Sequence, residues 1–368
     1  MNPFKLEVYL SKYEFLAPYL LCCSDAQTMS MHNLLTLADP QEKNLWKSLD
    51  LGYTEDKGLP VLREQITKIL YPTLNAENIL CFAGAEDGIF CALSVICKPG
   101  SHIITLTPCY QSLAEIPKSR GCIVTEIPLK EENNWCISIN DIQKSLKPNT
   151  SAIIINFPHN PTGQIITQEE LNDLVTLCKN NDLWLFSDEV YRLLGNPNTP
   201  WALPAAQLYS KAISVNVMSK AYGMAGLRIG WIACQDEEIL TQIKQMKHYT
   251  SICNSAPAEI LTLIALKNSD HILARNNAIV ASNLKLLDTF FAEFKELFSW
   301  VRPQGGCTGF VRYKGTGNVT DFCETVVERT GVLLLPGFVY NQPNHFRIGF
   351  GRSNMPEALK KLHTFLKQ

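Results

Sequence analysis

Through the middle of the chain, short and almost uninterrupted apolar runs alternate with amphipathic stretches. IITLTP (103–108), AIIINFP (152–158), LWLFSDE (183–189), AISVNVM (212–218) and IGWIAC (229–234) read as strands. Between several of them lie helical patterns, of which EELNDLVTLCKNN (169–181) is the clearest. Strands apolar on both faces and separated by helices predict a mostly parallel sheet covered on each side, an α/β architecture. From about Ala258 the pattern changes. A long helical stretch, 258–294, runs into a turn-rich segment, PQGGCTGF (303–310), which predicts a second, smaller α+β unit. Residues 1–45 form neither a strand series nor a helix bundle and are expected to pack on that unit. The expected division is therefore 1–45, 46–257 and 258–368.

Composition narrows the class. With 368 residues, 46% of them hydrophobic and 18% charged, the chain suits a folded protein of two packed units. A net charge of −2 offers no basic stripe, so no nucleic-acid partner is expected. The 13 cysteines are odd in number and contain no C-x-x-C, as suits buried thiols in a reducing cytoplasm. The start, MNPFKLEVYLSKYEF, lacks the basic and apolar regions of a signal peptide, and no apolar run is long enough to span a bilayer. A cytoplasmic protein without a membrane partner is expected.

In open parallel sheets, ligands sit beyond the carboxyl ends of the strands. Four chemically distinct side chains follow four of the expected strands: Tyr110, Asn160, Asp188 and Lys220. Lys220 sits among Val, Met and Ala, where partial desolvation disfavours an ammonium and favours a nucleophilic amine. Read alone, it is more readily a lysine that snorkels to solvent. Asp188 ends an apolar strand and needs a cation, either a protonated pyridine nitrogen or an arginine. Tyr191 could set its phenol beside the same ligand, or be an ordinary core tyrosine. In HNPTG (159–163), Asn160 could donate to a ligand oxygen, while His159 reads as packing. GAEDGIFCALSVI (84–96) is a glycine turn entering a helix, and the free N–H groups of Gly84, Ala85 and Glu86 would cradle an anion. Neither a Walker A loop nor a dinucleotide fingerprint is present. Arg228 and Ser219 could bind the same anion. Pyridoxal 5′-phosphate carries all four matching groups: phosphate, pyridinium, phenolic oxygen and aldehyde.

LGYTEDKGLPVLR, NFPHNPTG, SDEVY and MSKAYGMAGLRIGW together resemble the class I/II aminotransferases, pyridoxal-phosphate enzymes of fold type I. The resemblance covers at least Leu51 to Cys253 and implies a seven-stranded sheet. It implies that Lys220 is the Schiff-base lysine, which also moves the proton between Cα and C4′. Asp188 resembles the carboxylate that keeps the ring nitrogen protonated, and Tyr191 and Asn160 the donors to the phenolic oxygen. Tyr110 corresponds to the stacking aromatic, and Arg228, Ser219, Gly84 and Ala85 to the phosphate site. Arg347, in NHFRIGFGR, resembles the arginine that forks onto the substrate α-carboxylate, a wall to which Asn160 also belongs. Tyr53 matches a tyrosine that reaches the phosphate of a neighbouring subunit, which implies a homodimer with shared sites.

Three departures stand out. Val217 occupies a position where many relatives carry a phosphate-binding hydroxyl. SDAQTMSM (24–31) lacks the family's usual asparagine-rich, glycine-containing start. The link from Gly337 to Arg347 is short. Tyr9, Tyr13, Phe15 and Tyr19 could line an apolar pocket but read more readily as core. No metal-ligand spacing appears, so no metal is expected. The implied reaction is amino transfer between an L-amino acid and a 2-oxo acid. A β-lyase or cyclase on the same fold remains the alternative, and a non-catalytic cofactor-binding regulator a more distant one.

Overall fold

The computed structural model describes residues 1–196 and 198–368. Seven strands build the larger sheet: β1 (Ile79–Phe82), β2 (His102–Thr107), β3 (Ile123–Pro128), β4 (Thr150–Asn156), β5 (Trp184–Asp188), β6 (Ala212–Val217) and β7 (Gly230–Ala233). Their order is β1-β7-β6-β5-β4-β2-β3. From β3 to β6 neighbours run parallel, whereas β7 is antiparallel to both β6 and β1. The exception has a local cause. The connection from β6 to β7 holds one 3-10 turn, Ala225–Leu227, instead of a crossover helix, so the chain simply returns.

The five apolar runs all form strands, each within two residues of its expected bounds. Two strands escaped that reading. β1 has only four residues, all buried, and merges into a glycine turn. β3 is an edge strand with three of its six residues exposed and only one buried, so it shows no apolar run. The buried centre of the sheet is Ile- and Leu-rich on both faces, as its helical cover requires.

A second, wholly antiparallel sheet follows in the order β10-β11-β9-β8: β8 (Phe298–Trp300), β9 (Thr308–Tyr313), β10 (Leu335–Pro336) and β11 (His345–Gly349). The long helical stretch expected before it divides in two, Ala256–Lys267 and Ser269–Glu293. Asn268 marks the division, its Nδ2 donating to the Ile264 carbonyl at 2.8 Å.

The N-terminal residues bind elements far away in sequence. Helix Lys5–Tyr13 is tied through Lys5 to Gln111 at 2.9 Å and to Asn341 at 2.6 Å. Residues 19–27 then lie as a strap between the two sheets. The Leu21 carbonyl accepts from Gly349 N at 2.8 Å, and the Lys220 carbonyl from Ala26 N at 3.1 Å. Gly349 allows this approach, since a Cβ there would meet the Cys23 carbonyl oxygen at 1.8 Å. Among the described residues, no helix is long and apolar enough to cross a membrane.

Candidate active site

The carboxyl ends of β2, β4, β5 and β6 open onto one cavity of about 290 Å³. Lys220, Asp188, Tyr191, Asn160, Tyr110, Ala85, Ser219, Arg228 and Arg347 all line it. Nine residues singled out from sequence thus meet in one place. Tyr110, Asn160, Asp188, Tyr191, Ser219 and Lys220 stand at or after the ends of parallel strands, Ala85 and Arg228 beside the antiparallel β1 and β7, and Arg347 comes from the second sheet.

Lys220 Nζ lies 3.0 Å from Ser24 Oγ and 5.8 Å from the centre of the Tyr191 ring. Asp188 is 3% exposed, and one carboxylate oxygen accepts from Val190 N at 3.2 Å. Burial pushes its carboxyl up to about 7, against the pull of the Val190 N–H and of the Lys220 charge. A cation beside it would restore the carboxylate. Tyr191 Oη is buried with no hydrogen-bond partner, and burial pushes its phenol up.

Arg347 is 2% exposed, yet among the described residues no carboxylate pairs with it. Its Nη1 donates to Asn160 Oδ1 at 3.1 Å and to Tyr340 Oη at 2.6 Å, and its Nη2 to the Cys22 carbonyl at 2.8 Å. Nε has no partner. A buried guanidinium held only by neutral groups is an anion site. The same contacts orient Asn160. Arginine can only donate, so the amide oxygen must face it, and the amide NH₂ is turned away. Asn160 N in turn donates to Asn156 Oδ1 at 2.9 Å, while Asn156 Nδ2 donates to the Asp188 carbonyl at 3.0 Å.

The anion cradle is built by glycine. Gly84 has φ +98°, and a Cβ there would come within 2.5 Å of Arg228 Nη2. The Arg228 side chain lies along the Gly84 backbone at the start of helix Ala85–Ile96, which has no side-chain cap. Arg228 itself is in the left-handed region at φ +53°. Ser219 is buried beside it, and Val217 brings no hydroxyl to this wall. Tyr110 packs against Phe4, ring centres 5.2 Å apart.

Of the expected residues, Gly84 borders Arg228 without itself lining the cavity, and one stays away altogether. Tyr53 is 90% exposed and does not line the cavity, because its loop lies with Leu51 on the outer surface beside Cys253–Pro257. His159 is a packing residue, as expected. It is buried against Phe157 and bonded to Thr162 at 2.7 Å, and burial holds its imidazole down at about 4. Sequence reasoning missed Ser24, Asn156 and Tyr340. Asn156 had a signal, as the first polar residue after AIII, and Tyr340 sits in the short Gly337–Arg347 link already noted as unusual. Of the N-terminal aromatics, none lines the cavity, and Phe15 is 94% exposed. The helix turns Leu6, Glu7 and Leu10 inward instead, with Glu14 just beyond its end. Among the described residues, no group of three His, Cys, Asp or Glu side chains is placed to hold a metal.

These groups fit pyridoxal 5′-phosphate: a glycine cradle with an arginine, a buried carboxylate, an unpartnered phenol, a turned-out amide and a lysine. Residues 21–362 match the family model for aminotransferase class I and II. The chain belongs to the class I and II aminotransferases. Pyridoxal 5′-phosphate is therefore its cofactor. This family member is similar along its whole length to a solved pyridoxal-phosphate-dependent aminotransferase from Streptococcus suis 89-1591. The TM-score is 0.93 and the identity 30%, covering 100% of this chain and 98% of the other. It is 26% identical over 326 residues to aspartate aminotransferase of Thermotoga maritima, covering 86% and 84% of the two chains. It is also 28% identical over 267 residues to capreomycidine synthase of Streptomyces vinaceus, covering 73% and 68%.

Proposed function

We propose that this protein is a transaminase, moving the amino group of an L-amino acid to a 2-oxo acid, with Lys220 as the proton carrier. The observation that supports it most is the meeting of Lys220, buried Asp188 and carboxylate-free Arg347 in one cavity. Bound pyridoxal phosphate supplies the electron sink that accepts the pair left when Cα loses its proton. In this reading the protein's own groups do the rest. Arg347 takes the substrate α-carboxylate, replacing neutral partners with a charged one, and so fixes which Cα bond is presented. Lys220 Nζ removes the Cα proton, holds it, and returns it to the cofactor side. Asp188 keeps a positive charge on the ring nitrogen. Tyr191 Oη and the Asn160 amide would donate to the phenolic oxygen, while Gly84, Ala85, Ser219 and Arg228 would hold the phosphate. Ser24, on the strap at residues 19–27, accepts from the lysine amine at 3.0 Å.

A second reading is ring closure or β-elimination at the same centre, favoured by the similarity to capreomycidine synthase. Two measurements separate them. Addition of an amino donor should bleach the visible absorbance of the lysine-linked cofactor, and a 2-oxo acid should restore it. Release of ammonia, or of a cyclised product, without any oxo-acid acceptor would replace transfer by the second reading. Lys220→Ala should lose the lysine-linked spectrum entirely, and its persistence would remove Lys220 from its assigned role.

A further inference from the structure

We infer that the cavity takes an amino acid whose side chain carries a positive charge, recognised by Glu7 and Glu14 of the N-terminal segment. This deepens the amino-transfer reading and rests on it. Four cations line the cavity, and each has a task or a partner. Lys220 meets the aldehyde and the amine, Arg228 lies at the phosphate cradle, and Arg347 awaits the α-carboxylate. Arg352 is held by Asp25 at 2.6 Å, so its charge is already met within the protein.

The carboxylates divide less evenly. Asp188 would meet the cofactor's ring nitrogen, Asp25 holds Arg352, and Glu86 accepts a hydrogen bond from Ser112 Oγ while burial favours its neutral form. Glu7 and Glu14 are left over. Seven residues apart, Glu7 within the helix and Glu14 as its C-terminal cap, they line the cavity together with Leu6 and Leu10, Glu7 exposed and Glu14 half-buried. No cation comes within 4.0 Å of either among the described residues. Burial, followed by the like charge of Glu7, disfavours the Glu14 carboxylate, with Asp25 adding to the repulsion and the more distant charges of Arg352 and Lys220 only partly offsetting it. A cation entering between them would relieve both effects.

The cavity is built for a polar ligand on independent grounds. Arg347 is 2% exposed with Nε unpartnered, and Tyr191 is equally buried with Oη unpartnered. With its carboxylate on Arg347 and its amine at Lys220, a substrate has one substituent left to place. The polar wall still unassigned is Glu7 and Glu14. An acidic side chain would need a spare cation there, and Asp25 has taken Arg352.

Binding and turnover test this separately. The ligand pair is δ-guanidinovalerate and δ-ureidovalerate, which keep a carboxylate and differ in charge but lack the reacting amine. Calorimetry on the holoenzyme should find the guanidino compound bound about tenfold more tightly. The double variant Glu7→Gln, Glu14→Gln should bring that ratio close to one, while Glu14→Asp keeps most of it. L-Arginine and L-ornithine should likewise exceed L-citrulline in kcat/KM, with the difference carried by KM. Equal binding of the two valerates, a ratio unmoved by the double variant, or preference for L-aspartate would overturn the substrate class and leave amino transfer standing. Charge-selective binding with no donor-dependent change in the cofactor spectrum would overturn amino transfer instead.

Discussion

Asp188 carries the sharpest consequence at the residue scale. Between its ordinary value of 3.8 and about 7, the folded, cofactor-free protein holds a proton that the unfolded chain has released. Stability must then fall as pH rises through that window, by on the order of a few kcal/mol once both are ionised. Asp188→Asn should remove this component, so the cofactor-free variant should be the more stable protein at pH 8 and gain little at pH 4. Denaturant unfolding at the two pH values measures it, and parallel profiles for both proteins would contradict the burial described. Cofactor should abolish the wild-type loss, because a pyridinium beside Asp188 favours the carboxylate. The side chains at strand ends were legible from sequence for a simple reason: Tyr110, Asn160, Asp188 and Lys220 each follow an apolar run. Ser24 and Tyr340 were not, since each reaches the site from a distant segment through contacts that no local pattern encodes.

At the scale of elements, the turn from β1 into helix Ala85–Ile96 depends on Gly84. Alanine there would meet a left-handed backbone at φ +98° and a Cβ 2.5 Å from Arg228 Nη2. The backbone strain costs about 1–2 kcal/mol, and the guanidinium, being the flexible end of its side chain, is the group that moves. Gly84→Ala should therefore weaken pyridoxal-phosphate binding by about tenfold and lower the melting temperature only slightly. Fluorescence titration of the cofactor-free protein checks the first, and an unchanged affinity would show that the cradle does not hold the phosphate. Elements with a repeating pattern could be read in advance, as β4 and helix Gln168–Asn180 show. β7 was found but its direction was not, because an apolar run is the same in either sense. β3, half-solvated at the sheet edge, gave the pattern nothing to detect.

For the whole molecule, the position of Tyr53 bears on assembly. Tyr53, Leu51 and Tyr249 are each close to nine-tenths exposed, an unusual amount of apolar surface for a chain that ends its business there. If Tyr53 serves the phosphate of a second chain, Tyr53→Phe should loosen the cofactor about fivefold, with the internal lysine linkage spectrally normal. Sedimentation should find two chains per particle. A single-chain particle with fully retained cofactor would exclude that role. The strap at residues 19–27 has a consequence of another kind, in the order of synthesis. Leu21 pairs with Gly349, Cys22 with Arg347 and Asp25 with Arg352, so the strap must wait for partners made more than 320 residues after it. During translation the larger sheet can close while the strap is still adrift, and the pocket stays open to water until the C-terminal strand arrives. A nascent chain is thus unable to do chemistry before Arg347 and Arg352 have been made.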